Sequence, residues 1–338
     1  MGWRAEKDSP MKIGLTYDLR SEYLAMGYSM DETAEFDRDD TISALETALS
    51  RLGHKTDRIG NARALIKRLS SGDRWDLVFN IAEGLHGIGR EAQVPAILDI
   101  YEIPYTFSDP MVMSLTLHKA MTKRVIRDAG LATTDFFLVH AIAEMKNIHF
   151  DPPYFIKPVA EGTGKGTSSK SIVQDKRALE KTCKILLDTY KQAVLVEPYL
   201  PGREFTTGVV GTGEASRILG TMEIHLLETA EQGVYSHTNK EHFEDRIRYT
   251  LAKSKDDPLI EEVESLVLAS WKALECRDGG RMDIRCDGKG KPMFMEVNPL
   301  AGLHPQHSDF PILCGLLDIP YLTLIETILN SAMLRIKK

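Results

Sequence analysis

From position 280 the chain reads Gly-Arg-Met-Asp-Ile-Arg, crosses Asp-Gly-Lys-Gly at 287–290, and continues from 293 as Met-Phe-Met-Glu-Val-Asn. Apolar and polar residues alternate on both arms with the two-residue period of a strand, and the tetrapeptide between them is turn chemistry, so a β-hairpin is expected. Met282 and Ile284 then face one way, Arg281, Asp283 and Arg285 the other, and Glu296 shares a face with Asn298. A register placing Asp283 opposite Phe294 would gather Asp283, Glu296 and Asn298 on one side of the sheet. Two carboxylates and an amide oxygen suit a hard cation, and magnesium commonly completes such a set with water and phosphate oxygens. The plainer reading is the solvated outer face of an antiparallel hairpin.

The rest of the chain has room for such a site. Its 338 residues allow two or three domains, and a hydrophobic fraction of 43% with 27% charged residues matches ordinary globular proteins. No uninterrupted apolar run reaches the roughly 18 residues of a membrane span, and residues 1–10 are charged without the apolar centre of a secretory signal. The net charge of −7 argues against a nucleic-acid partner, which usually meets a basic excess. Cys183, Cys276, Cys286 and Cys314 are widely spaced, with no CxxC pair, so neither a zinc site nor a disulfide framework is expected and a reducing cytoplasm is the simplest setting.

An apolar strand at 12–17, a helical pattern at 40–52, a second strand at 76–81, a glycine-rich turn at 83–89 and a helix at 91–101 predict an N-terminal α/β unit. Its sheet is parallel, a topology that gathers ligands at the carboxyl ends of strands. This unit should end near Asp109. A helix over 117–130 follows, with Lys119, Lys123, Arg124 and Arg127 on its polar side and Gly130 closing it. Short strands at 136–140, 154–157, 193–197 and 205–210 around a helix at 176–190 read as α+β. A helix over 258–276 carries a core stripe of Val263, Leu266, Val267 and Trp271, and a last helix covers 321–336.

Two further segments could carry chemistry. Lys157 ends a strand and leads into Pro-Val-Ala-Glu161-Gly162-Thr163-Gly164-Lys165-Gly166, where glycines let backbone N–H groups approach an anion closely. The spacing is that of neither a P-loop nor a GxGxxG turn, and a solvated hairpin turn is the alternative. Farther on, Glu197-Pro-Tyr-Leu200-Pro-Gly-Arg-Glu204-Phe ends one strand and opens another. Its two carboxylates could accept from a nucleoside, or be surface charges beside a turn.

Taken in order, these segments resemble the ATP-grasp superfamily, and within it the D-alanine:D-alanine ligases, over about residues 11–336. The family's Lys-Pro-x-x-Glu-Gly-Ser-Ser-x-Gly is matched at 157–166 with Thr163 for the first serine. Its Glu-x-x-x-x-Gly-x-Glu-Phe is matched at 197–205, and its Arg-x-Asp and Glu-x-Asn-x-x-Pro-Gly at 281–283 and 296–302, with Ala301 for the proline. The resemblance implies an ATP-grasp fold in three parts: an α/β substrate domain at 11–109, a central ATP-binding domain at 110–200 and a catalytic domain at 201–338. It implies that Lys119 and Lys157 hold ATP phosphates under the loop formed by Glu161, Gly162, Gly164 and Gly166, with Thr163 at its catalytic position. Glu197 lies on the adenine side, Leu200 in the adenine linker, and Glu204 on the ribose side. Asp283, Glu296 and Asn298 become ligands of two magnesium ions, for which manganese can substitute.

The implied reaction activates a carboxylate as an acyl phosphate, which an amine attacks to form an amide. Arg281, the N–H of Gly302 and Lys240 would meet the negative charge that develops; a plain Arg281 salt bridge to Asp283 or Glu296 is the alternative. The implied substrates are small amino acids, and the resemblance also implies a homodimer. The match weakens on the substrate side. His86-Gly87 leads into Arg90-Glu91-Ala92 where the family has Glu-Asp-Gly, Glu241 stands for a loop tyrosine, and residues 303–308 carry an extra residue. His86 and Ser308 are nevertheless the expected substrate contacts. His304 is a further candidate for binding a carboxylate or tuning a proton transfer, while His307 reads as a packed or solvated residue. Among Glu22, Glu32 and Glu35 none stands out as the partner of the first substrate's ammonium. A ligase for other amino acids, a non-catalytic ATP-binding module and a phosphotransferase that stops before the amide are the competing readings.

Overall fold

The first apolar run becomes β1 (Lys12–Thr16), which lies between β2 (Lys55–Gly60) and β3 (Leu77–Asn80) in a parallel three-stranded sheet. This is seen in a computed structural model that describes residues 9–336 and all of their side chains except those of His237 and Glu241. The residues before position 9, and the Glu241 side chain singled out above, lie outside that description. Helix Asp39–Arg51 buries Ile42, Leu45 and Leu49 at helical spacing against Ile13, Leu15 and Phe79. Helix Tyr321–Ile336 returns to the same core with Leu324, Ile325 and Ile328, so the end of the chain closes the core of its beginning.

The middle of the chain forms β4 (Phe137–Val139), β5 (Tyr154–Pro158), β6 (Ile172–Val173) and β7 (Val194–Pro198), an antiparallel sheet in the order β4-β7-β5-β6. Helix Lys176–Tyr190 covers it with Leu179, Cys183 and Leu186. The third sheet holds β8 (Glu204–Val210), β9 (Arg217–Leu226), β10 (Ile247–Ala252), β11 (Gly279–Cys286) and β12 (Pro292–Asn298), ordered β10-β9-β8-β11-β12 and antiparallel throughout. The expected stripe of helix Leu259–Ala273 packs on it through Val263, Leu266, Val267 and Trp271. Each such fully buried side chain contributes about 1.5–3 kcal/mol. No single helix among the described residues is long and apolar enough to cross a membrane.

One expectation needs extending and one needs correction. The helix expected over 117–130 is Lys119–Asp128, and a helix that was not expected, Pro110–Leu117, precedes it across His118, whose Nδ1 caps Lys119–Asp128 by accepting from the N–H of Met121 at 3.3 Å. In the hairpin, Asp283 pairs with Glu296 rather than Phe294, and Ile284 pairs with Phe294, leaving Met295 as the extra residue of a bulge. The bulge reverses the side-chain alternation, so Phe294 enters the core with Ile284 while Glu296 turns to the opposite face beside Asp283.

Candidate active site

A cavity of about 350 Å³ is lined by residues of the N-terminal unit, the middle segment and the last sheet. The β11/β12 register puts Arg281 across from Asn298 and Asp283 across from Glu296. Arg281, 8% exposed, donates through Nη1 to Asp283, and its Nε lies 3.7 Å from Asp309 Oδ2. Asp283 also accepts from Thr206 Oγ1 at 2.9 Å, and Asp309 Oδ1 from the hydroxyl of Tyr235 at 2.8 Å. The guanidinium is thus clamped between two carboxylates and cannot swing freely. Lys119 Nζ lies 3.5 Å from Glu296 Oε2 and donates to the carbonyl of Glu161 at 2.5 Å. Burial works against a charged Glu296, but Lys119, Lys157, Lys240 and Arg281 outweigh it and hold the carboxyl far below its usual range.

The glycine loop arches over this wall. Thr163 (φ +52°), Gly164 and Gly166 occupy left-handed backbone, and a Cβ on Gly166 would stand 2.5 Å from Pro158 Cγ, so that position needs glycine. The N–H groups of Thr163, Gly164 and Gly166 find no acceptor among the described residues, the condition of an anion nest. Gly302 N–H, at the opposite side of the cavity, is likewise without one. Lys240, whose Nζ sits 4.5 Å from the centre of the Tyr235 ring, also lines the cavity, as do His304, His307 and Ser308.

Beside the cavity, Phe155, Pro198, Leu200 and Met295 make a narrow apolar slot with Glu197, Lys123 and Thr134. Glu197 is buried. It meets Lys123 Nζ at 2.6 Å and Lys157 Nζ at 3.3 Å, and accepts from Thr134 Oγ1 at 3.0 Å. Burial opposes its charge, yet the two ammoniums lower its pKa to about 2. Lys157 is raised, burial being outweighed by Glu197, whereas burial depresses Lys123 and Glu197 does not fully offset it, because one carboxylate serves two ammoniums. Glu204 pairs with Arg285 Nη1 at 3.1 Å.

Most of the residues singled out in the sequence therefore meet. Lys119, Gly162, Thr163, Lys240, Arg281, Glu296, Asn298, Gly302 and Ser308 line the cavity, and Glu197 and Leu200 line the slot. Glu161 is turned inward, its carboxylate held by Lys165 at 2.9 Å and Gln192 Nε2 at 2.5 Å. His86 does not join them. It is exposed and does not line the cavity, its carbonyl bound by Gln93 Nε2 at 3.0 Å. Strand β3 ends at Asn80, so Glu83 emerges at the cavity instead, and Gly84 (φ +72°) then turns the chain. Of the three early glutamates, Glu35 reaches the cavity, paired with Arg90 at 2.8 Å, while Glu22 and Glu32 are exposed.

Lys123, Glu83, Glu91 and Asp309 were not among the expected site residues. Lys123, four residues after Lys119, had a signal in the helical period. The others are brought in by tertiary contacts alone. Burial raises the Glu91 carboxyl to about 7; Arg90 opposes this and Glu35 reinforces it. Its folded pKa thus lies above the unfolded value of 4.5, so the protein loses stability as pH rises between those values. Glu91→Gln should therefore raise the melting temperature of the ligand-free protein at about pH 8, with the gain vanishing at about pH 4. A gain of equal size at both pH values would contradict this.

A glycine loop with unpaired N–H groups, paired lysines, an apolar slot and a clamped arginine on this fold are the features of an ATP-grasp carboxylate-amine ligase. Comparison with known proteins agrees. The family described as D-ala D-ala ligase C-terminus matches residues 124–330. A D-alanine-D-alanine ligase of Bordetella petrii is 31% identical over 256 residues, 75% of each chain. The crystal structure of the D-alanine-D-alanine ligase of Bacillus anthracis complexed with ATP superposes with a TM-score of 0.73 at 21% identity, covering 97% of this chain and 99% of that one. The VanG D-Ala:D-Ser ligase of Enterococcus faecalis gives 0.73 at 18% identity, covering 96% and 100%. The chain belongs to the D-alanine-D-alanine ligase family and is an ATP-dependent ligase that forms C–N bonds.

Proposed function

We propose that the protein joins two amino acids through an amide bond, on the pattern of D-alanyl-D-alanine formation, with ATP bound between slot and cavity. The observation that carries this reading is the meeting of Arg281, Lys119, the free N–H of Thr163 in the glycine loop and Gly302 N–H around one cavity. Adenine would enter the slot of Phe155, Leu200 and Met295, and the triphosphate would run past Lys157 and Lys119 under the nest at 163–166. Glu204 reaches the ribose, and Lys240 covers the terminal phosphate.

Glu296, Asn298 and Asp283 fit two magnesium ions in donor chemistry: hard oxygens on one face of the hairpin, with lone pairs left on Asp283 beyond those used by Arg281 and Thr206. Bound there, magnesium would supply positive charge to the phosphate oxygens. A donor carboxylate oxygen attacks the terminal phosphorus and ADP departs. The second amine then attacks the acyl phosphate carbon, loses a proton, and phosphate leaves. Negative charge grows on the carbonyl oxygen in that step, and Arg281 and Gly302 N–H are the donors available to it. Thr163 hangs over the same space from the loop, and Ser308 stands where the second substrate's carboxylate can be met. Four buried cysteines without a disulfide suit a cytoplasmic setting.

The test is phosphate release from ATP with D- and L-amino acids, singly and in pairs, with mass detection of the product. An amide product with ADP is expected, D-alanine being the reference substrate. Tight ATP binding with no turnover in any mixture would leave a binding module, and a phosphorylated acid with no amide would leave a phosphotransferase.

A further inference from the structure

The N-terminal wall of the cavity carries more carboxyl groups than one ammonium requires. Glu35, Asp37, Glu83 and Glu91 all line it. Glu35 is spent: its carboxylate takes Arg90 Nη2 at 2.8 Å and the N–H of Gly162 at 2.5 Å. Arg90 in turn donates to the carbonyl of Ala160, and Arg20 to those of Thr33 and Ala34. Glu91 is only 9% exposed and borders the cavity, yet neither its carboxylate nor that of Glu83 receives a hydrogen bond from any described residue. A nine-tenths buried carboxylate facing a cavity with no donor is a group whose partner comes from the ligand.

An inorganic ion is a poor candidate for that partner. No group of three or more His, Cys, Asp and Glu side chains among the described residues is gathered closely enough to hold a metal. Two carboxyl groups bordering one cavity without a donor suit an organic cation, whose N–H donors can reach more than one of them. A guanidinium presents five donors in a fork, and a diamino acid presents two separate ammoniums.

We propose that this wall binds the cationic end of a basic donor acid, one bearing a guanidinium or a second ammonium, with Glu83 and Glu91 as its partners. The inference rests on the ligase reading above and names the class of its first substrate. The donor's carboxyl would lie toward Arg281 and the glycine loop, which border the same cavity. Specificity then comes from two acids, Glu91 buried and Glu83 partly so, that a neutral side chain would leave unpaired.

The experiment traps the acyl phosphate with hydroxylamine, so that no amine acceptor is needed. The donor carboxylate takes the terminal phosphoryl group, ADP leaves, and hydroxylamine nitrogen displaces phosphate to give a hydroxamate. Arginine is compared with citrulline and lysine with norleucine, both enantiomers of each, with D-alanine as reference. The basic member of a pair should exceed its neutral isostere in kcat/KM by about ten- to a hundredfold, the worth of a charge-assisted hydrogen bond to a buried carboxylate. In E91Q and E83Q, tested separately and checked for folding by thermal melts, that ratio should fall toward one. Hydroxamate from D-alanine but no preference for basic donors would overturn this inference and leave the ligase reading standing. Hydroxamate from no donor at all would remove the ligase reading itself.

Discussion

Glu296→Gln is expected to lower kcat by about 10²- to 10³-fold, because it removes the charge that pairs with Lys119 and that would hold the metal ions of the proposed reaction. Glu296 lies directly across the hairpin from Asp283, with Lys119 at 3.5 Å. Its amide would keep the shape of the side chain but neither hold a divalent ion firmly nor neutralise a lysine that is itself 8% exposed. Titrating ADP release against magnesium separates the two losses. A metal defect raises the magnesium needed for half-maximal rate, whereas misplacement of Lys119 raises KM for ATP at saturating metal. Wild-type turnover at ordinary magnesium would remove Glu296 from the site.

The second large effect is on stability. Lys123→Met should destabilise the fold by about 3–5 kcal/mol, the usual result of removing one member of a buried ion pair. Lys123 is 1% exposed, and besides Glu197 its ammonium donates to Thr133 Oγ1 at 3.0 Å and the carbonyl of Phe294 at 3.1 Å. The loss therefore leaves the buried Glu197 carboxylate with only Lys157 and Thr134, and the Phe294 carbonyl with only the Thr133 hydroxyl among its side-chain donors. Urea denaturation of Lys123→Met, Glu197→Gln and the double variant checks this, and the double variant should cost less than the sum of the singles. The pH dependence follows from the same contact. Glu197 has a folded pKa of about 2 against 4.5 unfolded, so its contribution is complete above the unfolded value and is lost as pH falls between the two. Without Lys123 the folded pKa should rise toward the unfolded value, so the stability lost over that pH range should be smaller. Unchanged acid sensitivity in the variant would show that Lys157 alone sustains the charge.

These contacts divide into those that local pattern reveals and those it hides. The arms of the hairpin were legible because side chains alternate on a strand, and the core stripe at 259–273 because a helix repeats every 3.6 residues. The bulge at Met295 was not. An extra residue leaves no mark in a two-residue period, and it alone puts Phe294 in the core while Glu296 meets Asp283. Lys123 reads as a solvated helix position, since periodicity says which residues share a face but not what that face meets. In the fold it meets Glu197, seventy-four positions along the chain, and β12.

Residue chemistry in linear order was sufficient to single out the segments proposed to face the nucleotide: a lysine before glycines, paired glutamates around a turn, and an Arg-x-Asp strand beside Glu-x-Asn. Each is a short segment whose function depends on neighbours a few residues away. The cavity wall proposed to face the substrate was decided by tertiary structure. Glu35, Glu83, Glu91 and Arg90 come from separate segments, and His86 and Glu83, three residues apart, exchange places between cavity and solvent according to where β3 ends and Gly84 turns. The physical reason is that backbone geometry propagates over only a few residues, whereas the burial and charge that select a substrate are sums over every segment packed around the cavity.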